Sequence, residues 1–149
     1  MRVSFLIMAV AAQAPTPVGP NPAFCADLRR IVAAADEEKP FASLPDDPDA
    51  ERLGGLASCH RVTEGDDSFY CRVWTRGVPD GRLGLASRAQ ACLPGTVRRE
   101  FDDPDSRNHW DRRVTRLRLG AVVVDVAEHG GPGVHIGWYY SIRVQSAGD

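Results

Sequence analysis

Four cysteines in a short chain, Cys25, Cys59, Cys71 and Cys92 of 149 residues, constrain the fold more than any other feature. An even count in a small exported chain reads as a disulfide framework. The four contain no C-x-x-C pair, and no histidine stands at zinc-finger spacing from them. A thioredoxin-type redox motif and a structural zinc site are therefore disfavoured. Four cysteines allow three pairings, and their spacing does not choose among them.

The N-terminus agrees with an oxidising address. Arg2 is followed by an apolar run from Val3 to Ala12, broken only by Ser4, and then by Ala12-Gln13-Ala14. A basic start, a short apolar stretch and a small-x-small ending are the pattern of a cleavable signal peptide, here over residues 1–14. Cleavage after Ala11 or Ala12 fits the same small-residue rule. The run is too short to span a bilayer, which takes about 20 apolar residues, so no stable membrane anchor is expected. The expected location is periplasmic or secreted. Pro15, Pro17, Pro20 and Pro22 make residues 15–22 a stiff, extended segment. Residues 23–149 then form a single α+β domain, long enough for a real core.

Within that domain the hydrophobic period changes repeatedly. Asn21 is placed to cap a helix and Pro22 to open it. Phe24, Cys25, Leu28, Ile31, Val32 and Ala35 follow at helical spacing, and the helix is expected to run to about Glu38, before Pro40. Residues 41–55 read as a loop, with Pro45, Asp46, Asp47, Pro48 and Asp49 as a solvated turn. Leu56–Thr63 and Ser68–Thr75 flank the turn-forming Glu64-Gly65-Asp66-Asp67 and read as a hairpin. A turn centred on Gly65 sets Cys59 opposite Cys71 and Ala57 opposite Val73. Ala57, Cys59, Phe69, Cys71 and Val73 then share one face, and His60, Val62, Tyr70, Arg72 and Trp74 the other.

A second helix is expected over Arg82–Leu93, striped by Leu85, Ala86, Ala89, Cys92 and Leu93 and stopped by Pro94-Gly95. Strands are expected at Thr96–Asp102, Arg113–Leu119, Ala121–Ala127 and Val134–Val144, the last two joined through Gly130–Gly133. In the last strand Tyr140, Ile142 and Val144 share one face and Tyr139, Ser141 and Arg143 the other. The order α-β-β-α-β-β-β(-β) predicts an antiparallel sheet of five to six strands, with two helices packed on one face and disulfide-stapled. Cys25 opens the stripe of the first helix and Cys92 closes that of the second. Antiparallel helices would bring these ends together, which favours Cys25–Cys92 with Cys59–Cys71.

No motif assembles a catalytic or cofactor site. Neither Gly55-Leu56-Ala57-Ser58 nor Gly84-Leu85-Ala86-Ser87 has the closing glycine of a nucleophile elbow. Cys59 and His60 are strand neighbours and point to opposite faces. His60, His109, His129 and His135 lack paired spacing for a metal, although His129 and His135 lie close across the glycine turn. Arg112, Arg116 and Arg118 are expected on one face of a strand, with Arg98, Arg99 and Arg107 nearby in sequence, and such a row of guanidiniums is fit for anions. Glu100, Asp102, Asp103, Asp105 and Asp111 are interleaved with them, and a salt-bridged solvent face is the more economical reading.

A net charge of −2 does not point to nucleic acid. Aromatics with arginine on an outer sheet face, Tyr70, Arg72, Trp74, Tyr139 and Arg143, match the composition of protein-binding hot spots. The expectation is a non-enzymatic exported binding module with a protein partner and no cofactor, an inhibitor or immunity-type protein in its sharpest form. Its competitors are a small metal-dependent or hydrolytic envelope enzyme using His109, Asp111, His129 or His135, and a structural accessory of an envelope complex.

Overall fold

The computed structural model describes residues 21–102, 113–130 and 139–147. The leader, the start of the proline-rich segment, His109, Asp111, Arg107, Arg112 and His135 lie outside the described residues. So do most of the glycine turn and the first half of the expected last strand.

Helix α1 (Pro22–Ala35) starts as its sequence dictates, with the Asn21 side chain accepting from the Ala23 N–H and proline in the first turn. It buries Phe24, Cys25, Leu28, Ile31, Val32, Ala34 and Ala35. The helix ends at Ala35, about one turn short of the expected Glu38. The Ala34 carbonyl accepts from Phe41 N–H at 2.7 Å, and Phe41 adopts φ 63°. This left-handed residue turns the chain so that its ring enters the core, 5.7 Å from that of Phe69. Just beyond the helix, hydrogen bonds from the Ser43 hydroxyl and N–H hold the Glu37 carboxyl below its ordinary pKa.

Strand β1 (Glu51–Arg52) pairs with β2 (Ala57–Val62), which forms the expected hairpin with β3 (Ser68–Val73). Its register sets Cys59 opposite Cys71 and Ala57 opposite Val73. Strand β1 corrects the reading of residues 41–55 as loop and raises the count to seven strands. Two residues are too few to show alternation. The pairing is made by the tight turn at Leu53, Gly54 and Gly55, all at positive φ. Glycine is needed at position 54, because a Cβ there would sit 3.0 Å from Phe24 N.

A short 3-10 turn (Thr75–Gly77) leads to α2 (Gly81–Cys92), followed by β4 (Val97–Asp102), β5 (Arg113–Leu119), β6 (Val122–His129) and β7 (Tyr139–Ser146). All neighbours are antiparallel, in the order β1-β2-β3-β7-β6-β5-β4. The chain thus crosses from β3 to the far edge and meanders back until β7 joins β3.

Both helices lie on one face of this sheet. Their stripes form one core with the inward residues Cys59, Phe69, Cys71, Leu117, Val124, Val126, Ile142 and Val144. Buried Arg82 at the start of α2 donates to Thr115 Oγ1 and lies 3.9 Å from Glu100, tying the helix to β5 and β4. Among the described residues no helix is long and apolar enough to cross a membrane.

The disulfides are Cys25–Cys92 and Cys59–Cys71, and no cysteine is free. The first joins the start of α1 to the end of α2, where Arg29 Nε also donates to the Cys92 carbonyl at 2.8 Å. The second bridges directly opposite residues of the hairpin. Their sequence separations are 67 and 12. In the chain-entropy account the longer closure is worth about 4.4 kcal/mol and the shorter about 2.8 kcal/mol. The Cys25→Ala/Cys92→Ala protein should therefore lose more stability than Cys59→Ala/Cys71→Ala, measured by urea titration of each.

Candidate functional site on the outward face of the sheet

The face turned away from the helices carries Tyr70, Arg72, Tyr139 and Arg143 of the residues expected to bind a partner. Strand alternation puts them there, and the register aligns them. One row crosses six strands: His60, Tyr70, Arg143, Asp125, Arg116 and Arg99 lie directly opposite one another in turn. The next row contains Ser58, Arg72, Ser141, Ala127, Val114 and Phe101.

This face is not a bare surface. Its short side chains are buried beneath long ones that bond to them. Arg143 Nε donates to Ser68 Oγ at 3.0 Å, and Arg116 binds Asp125 through two bonds of 2.7 Å. His129 Nε2 lies 2.7 Å from Ser141 Oγ. Ser68, Asp125 and Ser141 are all buried, while the three longer partners are half-exposed. A carboxylate held by both arms of a guanidinium is a strong and directional pair.

Aromatic rings bind the same layer together. The Arg72 guanidinium stands 4.6 Å from the centre of the Tyr139 ring, and the His129 ring stacks on Tyr139 with centroids 4.6 Å apart and 9° between planes. The Arg116 guanidinium lies 4.9 Å from the Phe101 ring, and His60 and Tyr70 meet at 5.5 Å. Each cation–ring contact contributes about 0.5–1 kcal/mol when exposed and more when desolvated.

The expected binding residues therefore divide. Arg72 and Trp74 are exposed, Trp74 lying just past β3 and being, with Leu83 and Val97, one of the exposed large hydrophobics among the described residues. Tyr70, Tyr139 and Arg143 are half-buried and act as the foundation of the layer. Sequence reasoning missed His129–Ser141, Arg143–Ser68 and Arg116–Asp125 as pairs. All three depend on strand register, and only the β5–β6 pair could have been found from local hairpin alternation.

This face combines fixed guanidiniums and aromatic rings with short buried polar side chains. The His129–Ser141 contact has the composition of a nucleophile and its base, but Ser141 is 1% exposed, so its hydroxyl is closed to a substrate. Among the described residues no group of three or more His, Cys, Asp or Glu side chains could hold a metal ion.

The arginine row is only partly salt-bridged. Arg98 pairs with Glu100 at 2.8 Å, and Arg116 with Asp125. Exposed Arg99 and Arg118 have no carboxylate partner among the described residues. Arg118 Nε instead donates to the Gly120 carbonyl at 3.2 Å.

Removing one member of the Arg116–Asp125 pair leaves the other uncompensated, most severely when the buried carboxylate is the survivor. Arg116→Ala should cost about 3 kcal/mol in denaturant unfolding, and adding Asp125→Asn should recover part of that loss. No family model, curated protein or solved structure matches this chain.

Proposed function

We propose that this chain is an exported, non-enzymatic protein-binding module of the inhibitor or immunity type, and that it grips its partner with the outward face around Arg72, Trp74 and Tyr139. Export is supported by the leader pattern at residues 1–14 and by two disulfides, which persist in oxidising compartments.

The carrying observation is the preordered layer itself. Arg72 is exposed, yet it already stands over Tyr139, whose ring is stacked on His129 and so on the Ser141 anchor. Ordering long side chains on binding costs about 0.5–1.5 kcal/mol each. A guanidinium fixed in advance on an aromatic ring reduces that loss. Arginine, tyrosine and tryptophan are also the residues through which interfaces concentrate their affinity. Trp74 offers an apolar anchor beside them, and the helices and disulfides on the other face hold the platform rigid.

The test is affinity capture with the oxidised protein as bait over envelope and culture extracts, run in parallel with an Arg72→Glu/Trp74→Ala variant. One stoichiometric partner captured by the native chain and lost by the variant is expected. Equal capture by both would move the interface to another surface. Absence of any partner would overturn the binding reading.

A further inference from the structure

The two edges of the sheet are treated differently. Edge strands expose unpaired backbone N–H and C=O groups, and proteins commonly blunt them by keeping them short. Strand β1 is two residues long. Strand β4 at the opposite edge is six residues long, contains no proline, and among the described residues pairs only with β5.

Beside β4, on the outward face, lies an open hollow of about 770 Å³ lined by Val97, Arg99, Phe101, Arg116 and Arg118, with Arg98 and Glu100 at its margin. Its charge is not balanced from within. Asp125 occupies Arg116, and Arg98 holds Glu100 with Arg82 3.9 Å away, which among the described residues leaves Arg99 and Arg118 without a carboxylate. Val97, directly opposite Arg118, is 70% exposed.

We infer that the β4 edge and this hollow form a second binding site, which takes an extended acidic segment of a partner protein as an added strand. Backbone bonding to β4 supplies affinity without regard to sequence, and alternate side chains entering the hollow supply selectivity. On the outward side such a strand meets Val97, Arg99 and Phe101 in alternation, with Arg118 behind Val97. Carboxylates on that side pair with the two guanidiniums. On the helix side Arg98 and Glu100 are already paired with each other, so that side offers no free guanidinium and neutral residues fit there. An alternating acidic–neutral strand therefore fits, and an alternating basic one is rejected.

The probe is a fluorophore-labelled peptide alternating glutamate with threonine, long enough to run along all of β4, titrated into the full oxidised chain by fluorescence anisotropy. Saturable binding that weakens with added salt is expected. A lysine-for-glutamate version should fail to bind, and so should a version N-methylated at alternate residues, which keeps the charge and removes backbone pairing. The Arg99→Ala/Arg118→Ala protein should bind at least about tenfold more weakly, the loss of one to two charge-assisted bonds. The Arg99→Glu/Arg118→Glu protein should exchange its preference for the lysine peptide. Both variants change exposed side chains, and circular dichroism with thiol titration checks that they are folded and oxidised.

Equal binding of the glutamate and lysine peptides, or undiminished binding by the alanine variant, would overturn the site. Undiminished binding of the N-methylated peptide would overturn strand addition. Self-association of the chain through β4, detected by sedimentation and abolished by the glutamate variant, would assign the edge to a second copy and overturn the peptide occupant. Because Arg72 and Trp74 are untouched, failure here leaves the capture experiment intact, and failure there leaves this one.

Discussion

The fold depends on holding two helices, separated in sequence by an entire hairpin, against the same face of one sheet. Cys25–Cys92 imposes this covalently by fixing the first turn of α1 to the last turn of α2. The hydrogen bond from Arg29 to the Cys92 carbonyl reinforces the junction and satisfies one of the carbonyls that a helix end leaves unpaired. With both helices on one side, the inward strand positions they cover are apolar apart from Thr115, which Arg82 satisfies, and the outward positions are released from that demand. Phe69, Val124 and Ile142 meet the first condition. Ser68, Asp125, Ser141 and Arg143 use the second freedom.

That freedom produces a second layer of a different kind. The inward layer is apolar and insensitive to direction, whereas the outward one consists of directional bonds between short buried acceptors and long half-exposed partners. Buried Ser68, Asp125 and Ser141 would each be costly alone, because an unpaired polar group out of water is destabilising. Paired with Arg143, Arg116 and His129 they become anchors for the side chains that meet solvent. The half-exposed side chains of this layer thus inherit their fixed positions from two serines and an aspartate that are themselves buried.

Much of this fold was legible because its signals are local. Period-two alternation around Gly65 is sufficient to place Cys59 opposite Cys71, and a one-residue slip would have buried His60 and Arg72. The helical stripes likewise placed Cys25 and Cys92 on buried faces. Strand β1 was illegible, since its pairing rests on a turn in which the non-glycine residue Leu53 takes φ 54°. The end of α1 was missed for a similar reason, because the left-handed conformation at Phe41 carries no glycine to signal it. The outward layer was least legible. Arg143 and Ser68 are 75 residues apart, and nothing local reveals that β7 will lie beside β3. The hollow at β4 is hidden differently, since its lining comes from neighbouring strands, but the interleaved acids read as a neutralised row and only the register shows which arginines they reach.

The position of β7 has a consequence in time. Strands β1 to β3 form one ribbon and β4 to β6 another, and among the described residues β7 alone is bonded to both. It follows all the others along the chain. Until it emerges, each ribbon has one unsatisfied edge, and the inward faces that bury α1 and α2 remain two separate half-cores. A chain of this topology cannot complete its sheet while β7 is still within a ribosome or a translocation channel, so the two half-cores join only once that strand is free.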